Sequence, residues 1–338
     1  MNGVIRVGAR RSPLAVAQAE WVASQLQAAG HPTAVLGIDS LGDRDRRRLT
    51  EIGGTGIFAT AVRDLLHTEA IDVAVHSLKD LPVAPAPGLV VAAIPEREDV
   101  RYVLVGLQLE QWRDGTRIGT GSPRRGVQLQ ALAAERGVRI EVVPIRGNVD
   151  TRLQLVADGE VDATVLAAAG LLRLGRLSGV TSGVDQDQDA RIGGVAVRLL
   201  GTGHMLPAAG QGALAVECRE DADPALLAAL ADIDHAATRA AVTAERSFLS
   251  TLEAGCLAPV GAFAVVAGDE LSLRAVTGPE GATGAESGGS GQLLTAGGRG
   301  AAAEADQLGR RVATELLPRL TAQPGDPSPG AERMDEGQ

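Results

Sequence analysis

An ammonium and a carboxylate stand side by side at Lys79-Asp80. They follow the apolar run Ile71-Asp72-Val73-Ala74-Val75-His76-Ser77-Leu78 and precede Leu81-Pro82. The run has the makeup of a buried strand, and the proline forbids the strand to continue. Lys79 is the one lysine among 32 lysine and arginine residues. In parallel α/β proteins the ends of core strands face the ligand crevice, so the pair is placed to bind and polarise a substrate. The same two charges also fit a solvated loop ion pair of little energetic weight. His76, inside the run, reads as a satisfied core histidine rather than a base or metal ligand.

Three other segments put arginine where a helix begins: Arg10-Arg11-Ser12-Pro13, Gly121-Ser122-Pro123-Arg124-Arg125, and Arg146-Gly147-Asn148-Val149-Asp150-Thr151-Arg152. Ser12, Ser122 and Asn148 are cap-type residues, twice followed by proline at the first helical position. A helix start carries unpaired N–H groups and a partial positive charge, so an acidic residue would be the structural choice there. Arginine instead makes a bidentate site for carboxylate or phosphate. Three such sites point to a ligand with several negative groups.

Cys256 sits in Leu252-Glu253-Ala254-Gly255-Cys256-Leu257-Ala258-Pro259. A helical pattern ends at Gly255 and a strand pattern starts after Pro259, which leaves the thiol on a short loop. It could be a nucleophile or a covalent attachment point, and no His or Asn arrangement marks a protease-like dyad. Cys218, in Leu214-Ala215-Val216-Glu217-Cys218, reads as an ordinary strand residue. Gly53-Gly54-Thr55-Gly56 lacks the lysine and spacing of a Walker loop, and Gly119-Thr120-Gly121 is too short for a dinucleotide fingerprint. Beside the charged run 43–48, the first of these reads as a loop that covers a site or is merely solvated.

The elements that must position these residues alternate. Strand patterns at 4–7, 33–38, 72–76 and 89–94 and helical patterns at 13–29 and 56–68 predict a mostly parallel sheet with helices on its faces. A second α/β block has strands at 117–119, 138–143 and 163–166 and helices at 123–136 and 149–158. Residues 185–189 read as a polar loop, and the strand at 213–218 has no assigned home. Helices at 224–233 and 236–252, an antiparallel pair at 260–267 and 270–276, and a helix at 301–320 make a small α+β unit. From Thr321 onward proline, glycine and charge dominate, as in disordered tails.

Composition narrows the partners. A length of 338 residues predicts two or three domains, and 45% hydrophobic content is ample for packed cores. Aromatics at 2% leave no stacking platform for bases, and a net charge of −10 argues against a general polyanion binder. The N-terminus enters a strand without a signal segment, no run is long enough to span a bilayer, and two cysteines make no disulfide framework. A cytoplasmic protein without nucleic-acid or membrane partners is expected.

Taken in order, six segments resemble the porphobilinogen deaminase (hydroxymethylbilane synthase) family. They are Arg10-Arg11-Ser12-Pro13-Leu14-Ala15, Val75-His76-Ser77-Leu78-Lys79-Asp80-Leu81-Pro82, Gly119-Thr120-Gly121-Ser122-Pro123-Arg124-Arg125, the run 146–152, Gly210-Gln211-Gly212-Ala213 and Glu253-Ala254-Gly255-Cys256. The resemblance implies stepwise head-to-tail condensation of four porphobilinogen units with release of ammonia, ending in hydroxymethylbilane for haem and other tetrapyrroles. It implies a dipyrromethane cofactor attached through Cys256 and bound by Thr120, Ser122, Arg124, Arg125, Lys79 and Asp80. Asp80 matches the catalytic aspartate, which stabilises positive charge developing on pyrrole N–H groups. Lys79 either neutralises a carboxylate or orients Asp80. Arg10, Ser12, Gln18, Phe58, Arg146, Arg152 and Arg173 match substrate-binding positions.

The implied fold class is α/β: two periplasmic-binding-protein-like α/β domains plus a small C-terminal α+β domain, as a monomer. The first domain would comprise 1–96 with 213–232, the second 97–212 and the third 233–320, with 321–338 as tail. The chain departs from the family at Thr55, Glu51 and Thr60, where many members carry lysine, and the segment 178–204 looks longer than usual. Arg44, Arg46, Arg47 or Arg48 are candidate substitutes. Two rival readings are a non-enzymatic receptor for a small polyanion, which would need no loop cysteine, and a degenerate deaminase of low turnover.

Overall fold

The computed structural model describes residues 3–39, 57–253, 258–278 and 293–321. Cys256, the loop residues 43–56 and the side chain of Phe58 lie outside them. The chain opens with β1 (Ile5–Arg10), α1 (Pro13–Ala28), β2 (Thr33–Ile38), α2 (Ile57–His67), β3 (Val73–Ser77) and β4 (Leu89–Ala93). β1 runs parallel to both β2 and β3. Val7, Val73 and Val75 of this sheet pack on Val22 and Leu26 of α1 in one core. Proline at its first turn and the Ser12 hydroxyl, which accepts from Ala15 N at 3.3 Å, start α1. Gly30, at φ +93°, lets the chain turn away after α1.

A second sheet follows, built from β5 (Tyr102–Gly106), β6 (Arg117–Gly119), β7 (Glu141–Val143), β8 (Ala163–Ala167), β9 (Leu177–Ser178), β10 (Gln188–Ile192) and β11 (Val195–Leu200). Its strand order is β7-β6-β8-β5-β11-β10-β9. The helices α3 (Pro123–Glu135), α4 (Val149–Ala157) and α5 (Ala168–Arg173) join its strands. The expected polar loop at 185–189 is half strand: β10 and β11 form a hairpin whose two-residue turn, Gly193-Gly194, has both φ values positive. That pairing, not apolar content, fixes the segment. β5 escapes the periodicity reading because its short apolar run is buried on both faces and lacks a polar alternation.

The chain then returns. β12 (Leu214–Arg219) inserts between β3 and β4, antiparallel to both, and completes a sheet of order β2-β1-β3-β12-β4. The remaining elements are α6 (Pro224–Ala231), α7 (Ala236–Thr251), β13 (Val260–Ala267), β14 (Glu270–Thr277), β15 (Leu294–Ala301) and α8 (Ala305–Thr321). β13, β14 and β15 make an antiparallel sheet, and Phe248 of α7 and Leu308, Val312 and Leu316 of α8 share its core. β15 reads poorly as a strand because it is rich in glycine. A Cβ on Gly298 would come within 2.9 Å of Val312, so the missing side chain lets α8 lie close. Thr321, assigned to the tail from composition, is the last residue of α8. The fold is thus two α/β lobes with mixed sheets and a small α+β unit. Among the described residues no helix is long and apolar enough to cross a membrane.

Candidate active site

β1 and β3 are parallel neighbours, so their C-terminal ends open on one edge of the sheet. β1 ends at Arg10 and is followed by Arg11 and Ser12; beyond β3 comes one turn of 3-10 helix, Leu78–Asp80. Leu78 is buried, and its N–H donates to Ala213 O of the returning chain at 3.0 Å. The Arg246 guanidinium of α7 donates to the carbonyls of Leu81 at 3.1 Å and Pro82 at 2.7 Å. The turn is therefore held from two sides. Arg10, Ser12, Gln18, Ser77 and Asp80 line one open cleft, together with Ala59 of α2. Asp80 is exposed at its mouth. The sequence-predicted residues Arg10, Ser12, Gln18 and Asp80 thus come together, although Asp80 is 62 to 70 residues away in sequence.

Lys79 turns toward the second lobe. Its Nζ is 3.4 Å from Gln211 Oε1. Burial pushes its pKa down to about 8, with Asp80 and Tyr102 opposing and Arg125 and Arg124 adding to the shift. Arg124 and Arg125 stand in the first turn of α3. Arg124 Nε donates to the Tyr102 hydroxyl at 3.2 Å. Arg125 is buried, donates to Val165 O at 2.8 Å and lies 4.8 Å over the Tyr102 ring. Its Nε is buried without a hydrogen-bond partner. Such an orphan donor beside a half-buried ammonium is complementary to an anion and costly without one. Burial, then Arg125, holds Arg152 down at about 10.

The three helix starts differ in detail. Ser12 and Asn148 cap their helices, Asn148 Oδ1 accepting from Thr151 N at 2.9 Å. Ser122 occupies the cap position of α3, yet its side chain makes no capping bond; its N–H instead donates to Thr120 Oγ1 at 3.2 Å. The Ser122 hydroxyl is therefore not spent on the helix. Gly147, at φ +100°, turns Arg146 and Arg152 around the start of α4, and Arg152 Nε donates to Gly147 O at 3.1 Å. Arg173 does not line the cleft with Asp80. It bridges lobes, donating to Gly212 O at 2.7 Å and stacking 5.9 Å from the Trp21 ring.

His76 is less settled than a satisfied core residue. It lines the cleft, and its Nε2 lies 3.4 Å from Glu217 Oε2 without making a hydrogen bond. Glu217 is held bidentately by Arg63 at 2.8 Å and 2.8 Å. Cys218 is fully buried in β12, and burial pushes its thiol up to about 11, so it is inert. Sequence reasoning passed over Tyr102, Gln211 and Arg246. Gln211 alone left a signal, in Gly210-Gln211-Gly212.

The turn that ends β3 sets Asp80 in a cleft with Arg10 and sets Lys79 beside Arg124 and Arg125 of the second lobe, a cationic arrangement that suits a small ligand bearing several carboxylates. The family model described as porphobilinogen deaminase, dipyromethane cofactor binding domain, matches residues 5–226, and the porphobilinogen deaminase C-terminal domain matches residues 239–318. The chain belongs to the porphobilinogen deaminase family, whose members are transferases (hydroxymethylbilane synthases). Porphobilinogen deaminase 1 of Streptomyces coelicolor is 52% identical over 81% of this chain and 83% of its own length. Porphobilinogen deaminase of Nocardia farcinica is 45% identical over 93% of this chain and 85% of its own. Solved structures with a distant likeness include the ligand-binding component of an ABC-type import system from Staphylococcus aureus, at TM-score 0.37 and 12% identity over 73% of each chain. The family match does not favour the receptor reading. The donor set fits the family's dipyrromethane: Arg125 Nε has no partner, and Lys79 has one long contact.

Proposed function

We propose that the protein condenses four porphobilinogen molecules head to tail, releasing ammonia at each addition, and that one water then cleaves the tetrapyrrole from the cofactor as hydroxymethylbilane. One observation carries the reading. The turn that ends β3 presents Asp80 to a cleft shared with Arg10, Ser12 and Gln18, and presents Lys79 to Arg124 and Arg125 of the other lobe. A single rigid turn thus serves both a substrate pocket and a polyanion site.

Arg124, Arg125, Ser122, Thr120 and Lys79 would hold the dipyrromethane through its carboxylates. When bound, that group supplies the pyrrole terminus to which substrate is joined. The family resemblance assigns its attachment to Cys256, and the inertness of buried Cys218 supports that choice. Arg10, Ser12, Gln18 and Phe58 would receive porphobilinogen, with Arg146, Arg152 and Arg173 serving the lengthening product. Asp80 would face the pyrrole N–H of the incoming unit as ammonia leaves. A fixed carboxylate stabilises that cation more than the neutral substrate, so it lowers the barrier. Lys79 is assigned to carboxylate neutralisation: its Nζ contact is Gln211, while Asp80 acts on it through charge.

We assign the first domain to 1–96 with 213–232, the second to 97–212 and the third to 233–320. A monomer in the cytoplasm, supplying haem and other tetrapyrroles, completes the proposal. Intact-mass measurement of the full chain, made in a haem-producing host, tests it. The expected result is a covalent dipyrromethane adduct that maps to Cys256. An unmodified chain overturns the assignment.

A further inference from the structure

The chain holds one tyrosine, Tyr102, and it lies where charge is densest. It is the first residue of β5, with no exposed surface, in register with Ala167 of β8 and Leu200 of β11. Its hydroxyl takes the Arg124 Nε hydrogen at 3.2 Å, and its ring lies under the Arg125 guanidinium at 4.8 Å. A buried tyrosine needs a partner for its hydroxyl, and a guanidinium over a ring face is attracted to it. One residue therefore fixes two consecutive arginines, one through its oxygen and one through its π face.

We propose that Tyr102 is a positioning residue of this site: it aims the Arg124–Arg125 pair at the ligand carboxylates. The inference rests on the deaminase reading for the identity of those carboxylates. The two arginines need such a device. They are neighbours on one helical turn and repel each other, and apart from Tyr102 the bond from Arg125 to Val165 O at 2.8 Å ties only one of them. The charged groups facing Tyr102 are Lys79 from the end of β3 and Arg124 and Arg125 from α3, while Asp80 acts on Lys79 and Arg125. The same surroundings make the phenol acidic: burial raises its pKa, but Arg124, Arg125 and Lys79 outweigh burial and bring it to about 8. As pH rises through that value, Tyr102 gains a negative charge and Lys79 loses its positive one. Both changes weaken the hold on carboxylates.

The single tyrosine makes a spectroscopic test clean. In the full chain without tethered cofactor, which Cys256→Ser supplies, ultraviolet titration is expected to show the tyrosinate band growing in well below the ordinary tyrosine pKa near 10. Arg124→Gln should move that transition upward. A titration at the ordinary value, or one that Arg124→Gln leaves in place, overturns the proposal whether or not the protein is a deaminase. Tyr102→Phe keeps the ring and loses the oxygen. It should lower the share of folded chain that carries the dipyrromethane adduct in intact-mass measurement, because the cofactor's carboxylates are what Arg124 and Arg125 hold. An adduct share equal to that of the parent in the folded variant also overturns it. Absence of adduct from the wild-type chain instead sinks the deaminase reading and leaves the titration result standing.

Discussion

Asp80 is fixed by its backbone and open at its carboxylate. Its neighbours in the turn are tied down by Ala213 O and by Arg246, while its own side chain is exposed in the cleft. A carboxylate placed so can meet a cation that forms only during reaction. Asp80→Asn keeps size and shape, removes the charge and perturbs no core contact. We expect that variant to fold, to carry its adduct, and to lose turnover by on the order of 10²-fold to 10³-fold, as when one preorganised electrostatic group is removed. Near-normal bilane formation would refute the role. At this scale the sequence was informative where chemistry is contiguous. Lys79 and Asp80 announce themselves as neighbours, and each arginine cluster is written beside its own helix start. Tyr102 is silent in sequence because its partners are Arg124 and Arg125, brought to it by sheet pairing.

The element that ties these residues together is the turn Gly210-Gln211-Gly212. Both glycines have positive φ, +73° and +84°. A Cβ on Gly212 would fall 2.2 Å from Glu98 O, and Gly212 O receives both Glu98 N at 3.1 Å and Arg173 at 2.7 Å. Between them Gln211 is wholly buried, donating to Val100 O at 2.6 Å and facing Lys79. The motif is thus a crossing point, where the chain leaves the second lobe to become β12 of the first. Gly212→Ala should cost roughly 3 kcal/mol, combining an unfavourable backbone region with a backbone clash, and lower the thermal unfolding temperature. A variant as stable as the parent would show that the turn relaxes freely. The strands flanking this crossing illustrate what periodicity can and cannot tell. β2 is legible as a local apolar run, whereas β12 reads as a strand whose neighbours periodicity does not tell. Its position between β3 and β4 depends on a connection spanning the whole second lobe.

Across the whole molecule, one buried carboxylate joins the third unit to the second. Glu245 of α7 has no exposed surface, yet it accepts from Arg97 at 2.8 Å, from Gly210 N at 2.6 Å and from Ala264 N of β13 at 2.9 Å. Arg97 also donates to Gln211 O at 2.7 Å and lies 5.6 Å over the Phe263 ring. The next residue, Arg246, holds the carbonyls behind Asp80. Two adjacent side chains of one helix therefore set the third unit against both the lobe crossing and the turn that carries Asp80. No local pattern marks Glu245, because its partners lie 19, 35 and 148 residues away. A buried ion pair is costly to break by halves, since the surviving charge stays desolvated. Glu245→Ala leaves Arg97 unpaired and two N–H groups without acceptors, so we expect a loss of about 3–5 kcal/mol in urea unfolding. Adding Arg97→Met should restore part of that loss by removing the stranded charge, which a simple packing defect would not allow. Strictly additive losses in the double variant would show that the two side chains do not act as a pair.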